Sequence, residues 1–419
     1  MLYNAYELQK TWLNSASTMA SIGAELLSNP SLPMGYSAFA SPVASALEVF
    51  AHATATYDKP AFGIETVEVD STAFAVEEAT VVHRAFGDLK RFVRDGLPDD
   101  APTLLIVAPM SGHYATLLRG TVERMVETAR VYITDWADAK MVPTGEGEFD
   151  LDDYIDYLIG FLAHIEEAEG RRAHMMAVCQ PSVPALAATA LMNRDDHPQH
   201  GARPCSLTMM GGPIDTRESP TTVNDLAMQR PIEWFANTVI ATVPLQYRGA
   251  GRRVYPGFLQ LFSFMSMNLD GHIQSHYELF KHLNAGDDDA AAVESAQATK
   301  DFYDEYRSVC DMTAEFYLQT VEEVFQRHSI PEGTFEHRGR IVDLGDIADT
   351  AILCVEGERD DISGIGQTKA ALKLATGLDD AKKAYLLAEG AGHYGIFNGS
   401  RWRKQVAPRV DAFMAEHGG

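Results

Sequence analysis

Cysteine is scarce in this chain and positive charge is outnumbered. Cys179, Cys205, Cys310 and Cys354 are the only cysteines in 419 residues. They are too scattered for a metal site or a disulfide framework, so they read as reduced thiols of a cytoplasmic protein with no bound metal. Lys and Arg number 34 against 59 Asp and Glu, a formal net charge of -25. That excess repels nucleic-acid phosphates and disfavours an anionic membrane as the main partner. No apolar run is long enough for a transmembrane segment. The opening MLYNAYELQK lacks the basic-then-apolar order of a signal peptide, so the expected location is the cytoplasm. Internal repeats and low-complexity tracts are absent, and Asp287-Asp288-Asp289 reads as a solvated loop or helix start.

What is present is a patterned, core-forming sequence. Tyr6, Leu8, Trp12, Leu13, Met19, Ile22, Leu26 and Leu27 recur at helical spacing until Pro30-Ser31-Leu32-Pro33. A second apolar segment covers 44–53. This arm reads as an amphipathic helix packed on the core, or as a docking arm for a hydrophobic substrate phase. Strand-like runs follow at 66–69, 79–85, 103–108, 131–134, 174–178 and 206–211, with helical segments such as 117–128 and 151–160 between them. Such alternation predicts an α/β fold, a mostly parallel sheet with helices on both faces. From 217 to 339 the chain reads as helical and aromatic, without comparable strands. Strands return at 351–355 and 384–388, before a last helix through 402–414. The expected segments are an N-terminal helical part (1–60), a first core part (61–216), an inserted helical cap (217–340) and a C-terminal core part (341–419).

The most informative stretch is RAHMMAVCQPSVPALAA, residues 172–188. Cys179 stands at the bend between a buried strand and a following helix. A nucleophile there is held clear of the strand, and the helix N-terminus behind it favours the thiolate. Ala177-Val178-Cys179-Gln180-Pro181 occupies the G-x-S-x-G frame of the α/β-hydrolase nucleophile elbow, with Ala, Cys and Pro in place of Gly, Ser and Gly. In that fold the acid and then the histidine follow, each after a late strand. Asp360 and Asp361 end the loop after 351–355, and the G-x-x-D spacing from Gly357 favours Asp360. His393 stands in the glycine-rich loop after 384–388. The expected catalytic set is Cys179, Asp360 and His393. Oxyanion donors are expected from the backbone N–H of Gln180 and from Met110 or Ser111, in the loop after strand 103–108, where Gly112 permits a close turn.

His113 is a candidate substrate contact or a histidine satisfied by its own loop. Asp135-Trp136 follows a strand, and its aspartate is read as a helix cap or a support for the site, not as catalytic. In the cap, Trp234, Phe235, Tyr247, Tyr255, Phe258, Phe262, Phe264, Met265 and Met267 are mostly helix core. A few of them, with Trp234 and Phe235 named first, are expected to touch an apolar substrate.

With these residues in place, the chain resembles intracellular poly(3-hydroxybutyrate) depolymerases over nearly its whole length. The likeness is carried by MLYNAYELQK, AVCQPSVPALA, MMGGPIDTR, VEGERDDISGIGQT and GHYGIFNGSRWR. It implies an α/β-hydrolase with a Cys-Asp-His triad, on Cys179, Asp360 and His393, related to polyhydroxyalkanoate synthases. It also implies action on amorphous polyester in cytoplasmic granules. The implied acyl-enzyme is a thioester released by water, with coenzyme A as the alternative acceptor and no other cofactor. Rival readings are a small-ester or thioester hydrolase or acyltransferase on the same scaffold, and a non-catalytic granule-surface protein. A homodimer is the candidate assembly.

Overall fold

The computed structural model describes residues 2–29, 31–32, 39–286 and 289–418. Pro30, Pro33, Asp287 and Asp288 lie outside them. Helices α1 (Leu2–Ser28) and α2 (Ala40–Thr54) pack on one another. Three antiparallel strands follow, β1 (Thr66–Val69), β2 (Thr72–Val82) and β3 (Gly87–Arg94). Then come β4 (Thr103–Val107), α3 (Arg119–Val126), β5 (Arg130–Trp136), α4 (Leu151–Glu169), β6 (His174–Val178), α5 (Ser182–Asn193) and β7 (Ser206–Met210). The inserted segment holds α6 (Thr222–Gln229), α7 (Ile232–Thr238), β8 (Ala241–Thr242), β9 (Arg253–Tyr255), α8 (Gly257–Met267), α9 (Leu269–Ala285), α10 (Ala290–Arg307), β10 (Met312–Thr313) and α11 (Ala314–Thr320). A small hairpin, β11 (Glu336–His337) and β12 (Arg340–Ile341), leads to β13 (Ala351–Gly357) and β14 (Lys383–Ala388). A last helix, Ala407–Glu416, ends the described chain.

Among the described residues nine strands form one sheet in the order β1-β2-β3-β5-β4-β6-β7-β13-β14. From β5 onward every neighbouring pair is parallel. This is an α/β-hydrolase fold. Strands β4, β6, β7 and β13 are buried at every position, as strands covered on both faces must be. Helix α5 is buried along its whole length. Its alanines at 185, 187, 188 and 190 keep it slim enough to lie close against the sheet. Helix α4 is fixed at its start by a reciprocal capping box between Asp150 and Asp153, and at its end by Gly170 with φ +66°.

Two elements depart from the pattern read in the sequence. Strand β3 was not expected; its buried apolar side chains are Leu89 and Phe92, and charged neighbours break any apolar run. With β2, which runs well ahead of the expected 79–85, it makes this flank of the sheet antiparallel. The inserted segment, expected to be helical, also contains the antiparallel sheet β10-β9-β8, whose strands are two or three residues long. Strands that short carry no periodicity to read.

Parallel alignment puts the C-terminal ends of β4, β6, β7, β13 and β14 along one edge. The loops starting at 108, 179, 211, 358 and 389 therefore converge there. The insertion leaves the sheet after β7 and returns at β13, which pairs with β7 directly. Among the described residues no helix is long and apolar enough to cross a membrane.

His174, buried in β6, has Nδ1 2.8 Å from Ser206 Oγ on β7. Burial, with lesser contributions from His417 and Arg172, pushes its pKa down to about 4. An unfolded imidazole titrates near 6.5, so below that pH the unfolded chain binds the extra proton and the fold loses stability. His174 should account for about 2 kcal/mol of the loss between pH 7 and pH 5. The urea midpoint of His174→Gln should vary less between those two pH values than the parent's.

Candidate active site

Cys179 adopts φ +66°, the left-handed region, directly after β6. For a residue with a Cβ this conformation costs roughly 1–3 kcal/mol and must be held by its surroundings. Its N–H donates to the Met210 carbonyl at 2.7 Å, and its own carbonyl accepts from Ser182 N–H at 3.0 Å. The glycine pair after β7 makes this contact sterically possible. A Cβ on Gly212 would lie 2.1 Å from Ser182 Oγ, and one on Gly211 would lie 3.1 Å from His393 Cε1. Cys179 is the partly exposed member of four free thiols; the other three are buried.

His393 Nδ1 lies 2.7 Å from Asp360 Oδ2. The other carboxylate oxygen accepts from the N–H groups of Ile362 and Ser363 at 2.9 and 2.8 Å, which fixes the plane of the acid. The imidazole is buried, with Tyr394 and Phe397 edge-on to it. Burial alone would drive its proton off. The charges of Cys179 and Asp360, with the hydrogen bond between the ring and Asp360, outweigh burial and hold the pKa well above the usual histidine value. Asp361 stays at the exposed rim of a neighbouring cleft, so Asp360 is the carboxylate that meets the ring.

Facing the sulfur are the loop after β4 and the start of α5. Gly112 has φ +94°, and a Cβ there would strike the Gln260 side chain at 2.9 Å. Among the described residues the backbone N–H groups of Met110, Ser111 and Gln180 have no intramolecular acceptor. The N-terminus of α5 carries no side-chain cap either. Unpaired donors beside a nucleophile suit an oxygen that gains negative charge. Met110, Ser111, Cys179 and Gln180 form one wall of a cavity of about 400 Å³; the inserted segment supplies the opposite wall. A nucleophile, a base, an orienting acid and free donors together can perform acyl transfer.

Residues 211–418 match the family described as PHB de-polymerase C-terminus. The chain belongs to the PHB depolymerase family. No curated protein matches it in sequence. Among solved structures it is similar to 2-hydroxy-6-oxo-6-phenylhexa-2,4-dienoate hydrolase from Rhodococcus sp. strain RHA1, at 12% identity over 81% of this chain and 100% of that one, TM-score 0.44. A thermophilic esterase from Thermogutta terrifontis matches at 12% identity over 84% and 98%, TM-score 0.41. The meta-cleavage product hydrolase from Pseudomonas fluorescens IP01 matches at 14% identity over 84% and 97%, TM-score 0.42.

In this PHB depolymerase family member the cap aromatics divide into two groups. Phe235, Tyr255 and Phe264 line the cavity. Trp234 stands behind Phe235, edge-on at 5.0 Å, and is not in the lining. Tyr247, Phe258, Phe262 and Met265 instead border a cleft under α1, where Phe258 stacks on Tyr6 at 3.8 Å. The Met267 side chain lies outside the described residues. His113 is likewise outside the cavity lining; its Nε2 lies 3.0 Å from the Tyr306 carbonyl, and it pairs as a bridge with Val309. It ties the loop after β4 to the inserted segment. Asp135 pairs with Lys59 at 2.7 Å, and Trp136 Nε1 donates to the Ala108 carbonyl at 2.8 Å. The indole braces the end of β4 from behind.

Sequence reading missed Phe316, Tyr317, Val321 and Phe325, which line the far side of the cavity. They lie on α11 and on a widened π-helical turn, Val321–Gln326, and that break in the 3.6-residue period hides their common face. It also missed Glu356, fully buried at the end of β13. Its carboxylate accepts from the N–H groups of Gly366 and Lys369 and from Tyr385 Oη, each at 2.9 Å. Glu356 thereby pins the loop that carries Asp360. Glu356→Ala leaves three donors unpaired and should cost about 3 kcal/mol or more, read as a lower urea midpoint. An unchanged midpoint would remove this role.

Proposed function

We propose that this chain is an intracellular poly(3-hydroxybutyrate) depolymerase that cleaves polyester through Cys179, His393 and Asp360. One observation carries the reading: a cysteine held in a left-handed elbow beside a buried imidazole–carboxylate pair, at the wall of an apolar-lined cavity. Asp360 takes the Nδ1 proton in a hydrogen bond, which leaves Nε2 to serve the sulfur. His393 accepts the Cys179 proton, and the thiolate attacks an ester carbonyl. The N–H of Gln180, with that of Met110 or Ser111, receives the oxyanion. The imidazolium then protonates the departing alkoxide, and the C–O bond breaks to leave a thioester on Cys179. Water gives a proton to His393 as it attacks the thioester, and a second collapse returns the thiol and frees a hydroxyacid. Coenzyme A in place of water would give the hydroxyacyl thioester.

Granule association is part of the proposal and draws on α1. This helix buries Tyr3, Ala20 and Ala24 inward yet exposes Leu8, Trp12, Met19, Ile22 and Leu26. Its charged residues are Glu7, Lys10 and Glu25 alone, in a chain of net charge -25. A nearly neutral apolar face suits an uncharged polyester phase. Docking and packing, the two readings of the arm, then belong to opposite faces of one helix.

Purified protein incubated with amorphous granules, with and without coenzyme A, should release soluble 3-hydroxybutyrate products. Cys179→Ala should reduce release by at least about 10³-fold; retained turnover would remove Cys179 from the chemistry. Cys179→Ser should also lose most activity, because the site is set for a more acidic sulfur nucleophile. In the Cys179→Ala background, Trp12→Ser with Met19→Ser should weaken co-sedimentation with granules about 10-fold or more. Undiminished co-sedimentation would exclude α1 as the docking face.

A further inference from the structure

The cavity beside Cys179 is walled mainly by apolar side chains, yet it holds polar groups with nothing to bind. Gln180 follows the nucleophile in the chain and lines the cavity. Its carboxamide oxygen and nitrogen are both shut off from solvent, and neither has a hydrogen-bond partner among the described residues. Thr320 lines the same cavity from the inserted segment. Its Oγ1 is buried and unpartnered as well. A helical threonine commonly returns its hydroxyl to the carbonyl four residues back. Thr320 does not, at the point where α11 passes into the π-helical turn. Buried polar groups are ordinarily satisfied, and orphans on residues that line a ligand cavity call for a ligand that satisfies them.

A plain hydrocarbon acyl chain would leave these three polar atoms without partners. We propose that Gln180 and Thr320 are specificity-determining residues that select acyl groups carrying an oxygen on the third carbon, as a hydroxyl or as the ester oxygen of the next unit. The Gln180 amide can donate to either oxygen form and can accept from a free hydroxyl; the Thr320 hydroxyl can do both. The assignment rests on the acyl-enzyme reading above and adds the groups that choose the acyl chain. It concerns the side chain of Gln180, whereas the oxyanion role belongs to that residue's backbone N–H.

The test is a ratio. kcat/KM is measured for the 4-nitrophenyl esters of 3-hydroxybutyrate and of butyrate, which share a leaving group and differ by one oxygen. The parent should favour the 3-hydroxy ester by about 10-fold or more, since a site built around a substrate hydroxyl rejects the analogue lacking it. Gln180→Met and Thr320→Val, close in shape and without the polar atoms, should each lower that ratio several-fold. A parent ratio near unity overturns the proposal, and so does a ratio that neither substitution moves. If Gln180→Met fails to fold, the parent ratio and Thr320→Val decide. Failure of the underlying reading is separate: Cys179→Ala would then hydrolyse both esters at the parent's rate.

Discussion

Everything at this site depends on the contact between the turn after β6 and the glycine pair after β7. Cys179 can occupy its left-handed turn because Met210 and Ser182 hold both ends of its peptide. They can do so because Gly211 and Gly212 have no side chains in the way. Gly211 also lies against the His393–Asp360 pair, so one dipeptide sets the spacing between sulfur and imidazole. Strain at the elbow is thus supported by a neighbouring strand, and small changes in the packing of β6 on β7 would reach the chemistry first.

The electrostatics follow from the same closeness. A buried imidazole normally gives up its proton, but His393 is pulled the other way by two negative partners. Asp360 is itself anchored by two backbone N–H groups, and its loop is anchored by Glu356. Each link fixes the next, from a carboxylate buried at the end of a strand to the proton on the ring. Such a chain of satisfied groups holds the geometry without requiring movement during the reaction.

Much of this was legible in the sequence because parallel strands buried on both faces read as short apolar runs. The runs at 103–108, 174–178, 206–211 and 351–355 all became central strands, and the loops after them hold the residues singled out. Legibility failed where burial is one-sided or the period changes. Strand β3 has few apolar residues, and the cap strands are too short to show a pattern. The π-helical turn after α11 conceals a cavity wall. His113 stands beside the loop expected to hold the oxyanion donors, yet tertiary contact with Tyr306 makes it a brace. Sequence could name Glu356 but could not show that three donors from distant positions meet on it.

The insertion begins after β7 and ends before β13, and these two strands are hydrogen-bonded neighbours. Because they run parallel they need a crossover of about a dozen residues or more, but their register places no demand on what else is spliced between them. One wall of the cavity is thus free to be replaced wholesale in evolution or in the laboratory. Cys179, Asp360 and His393 all lie outside the spliced segment.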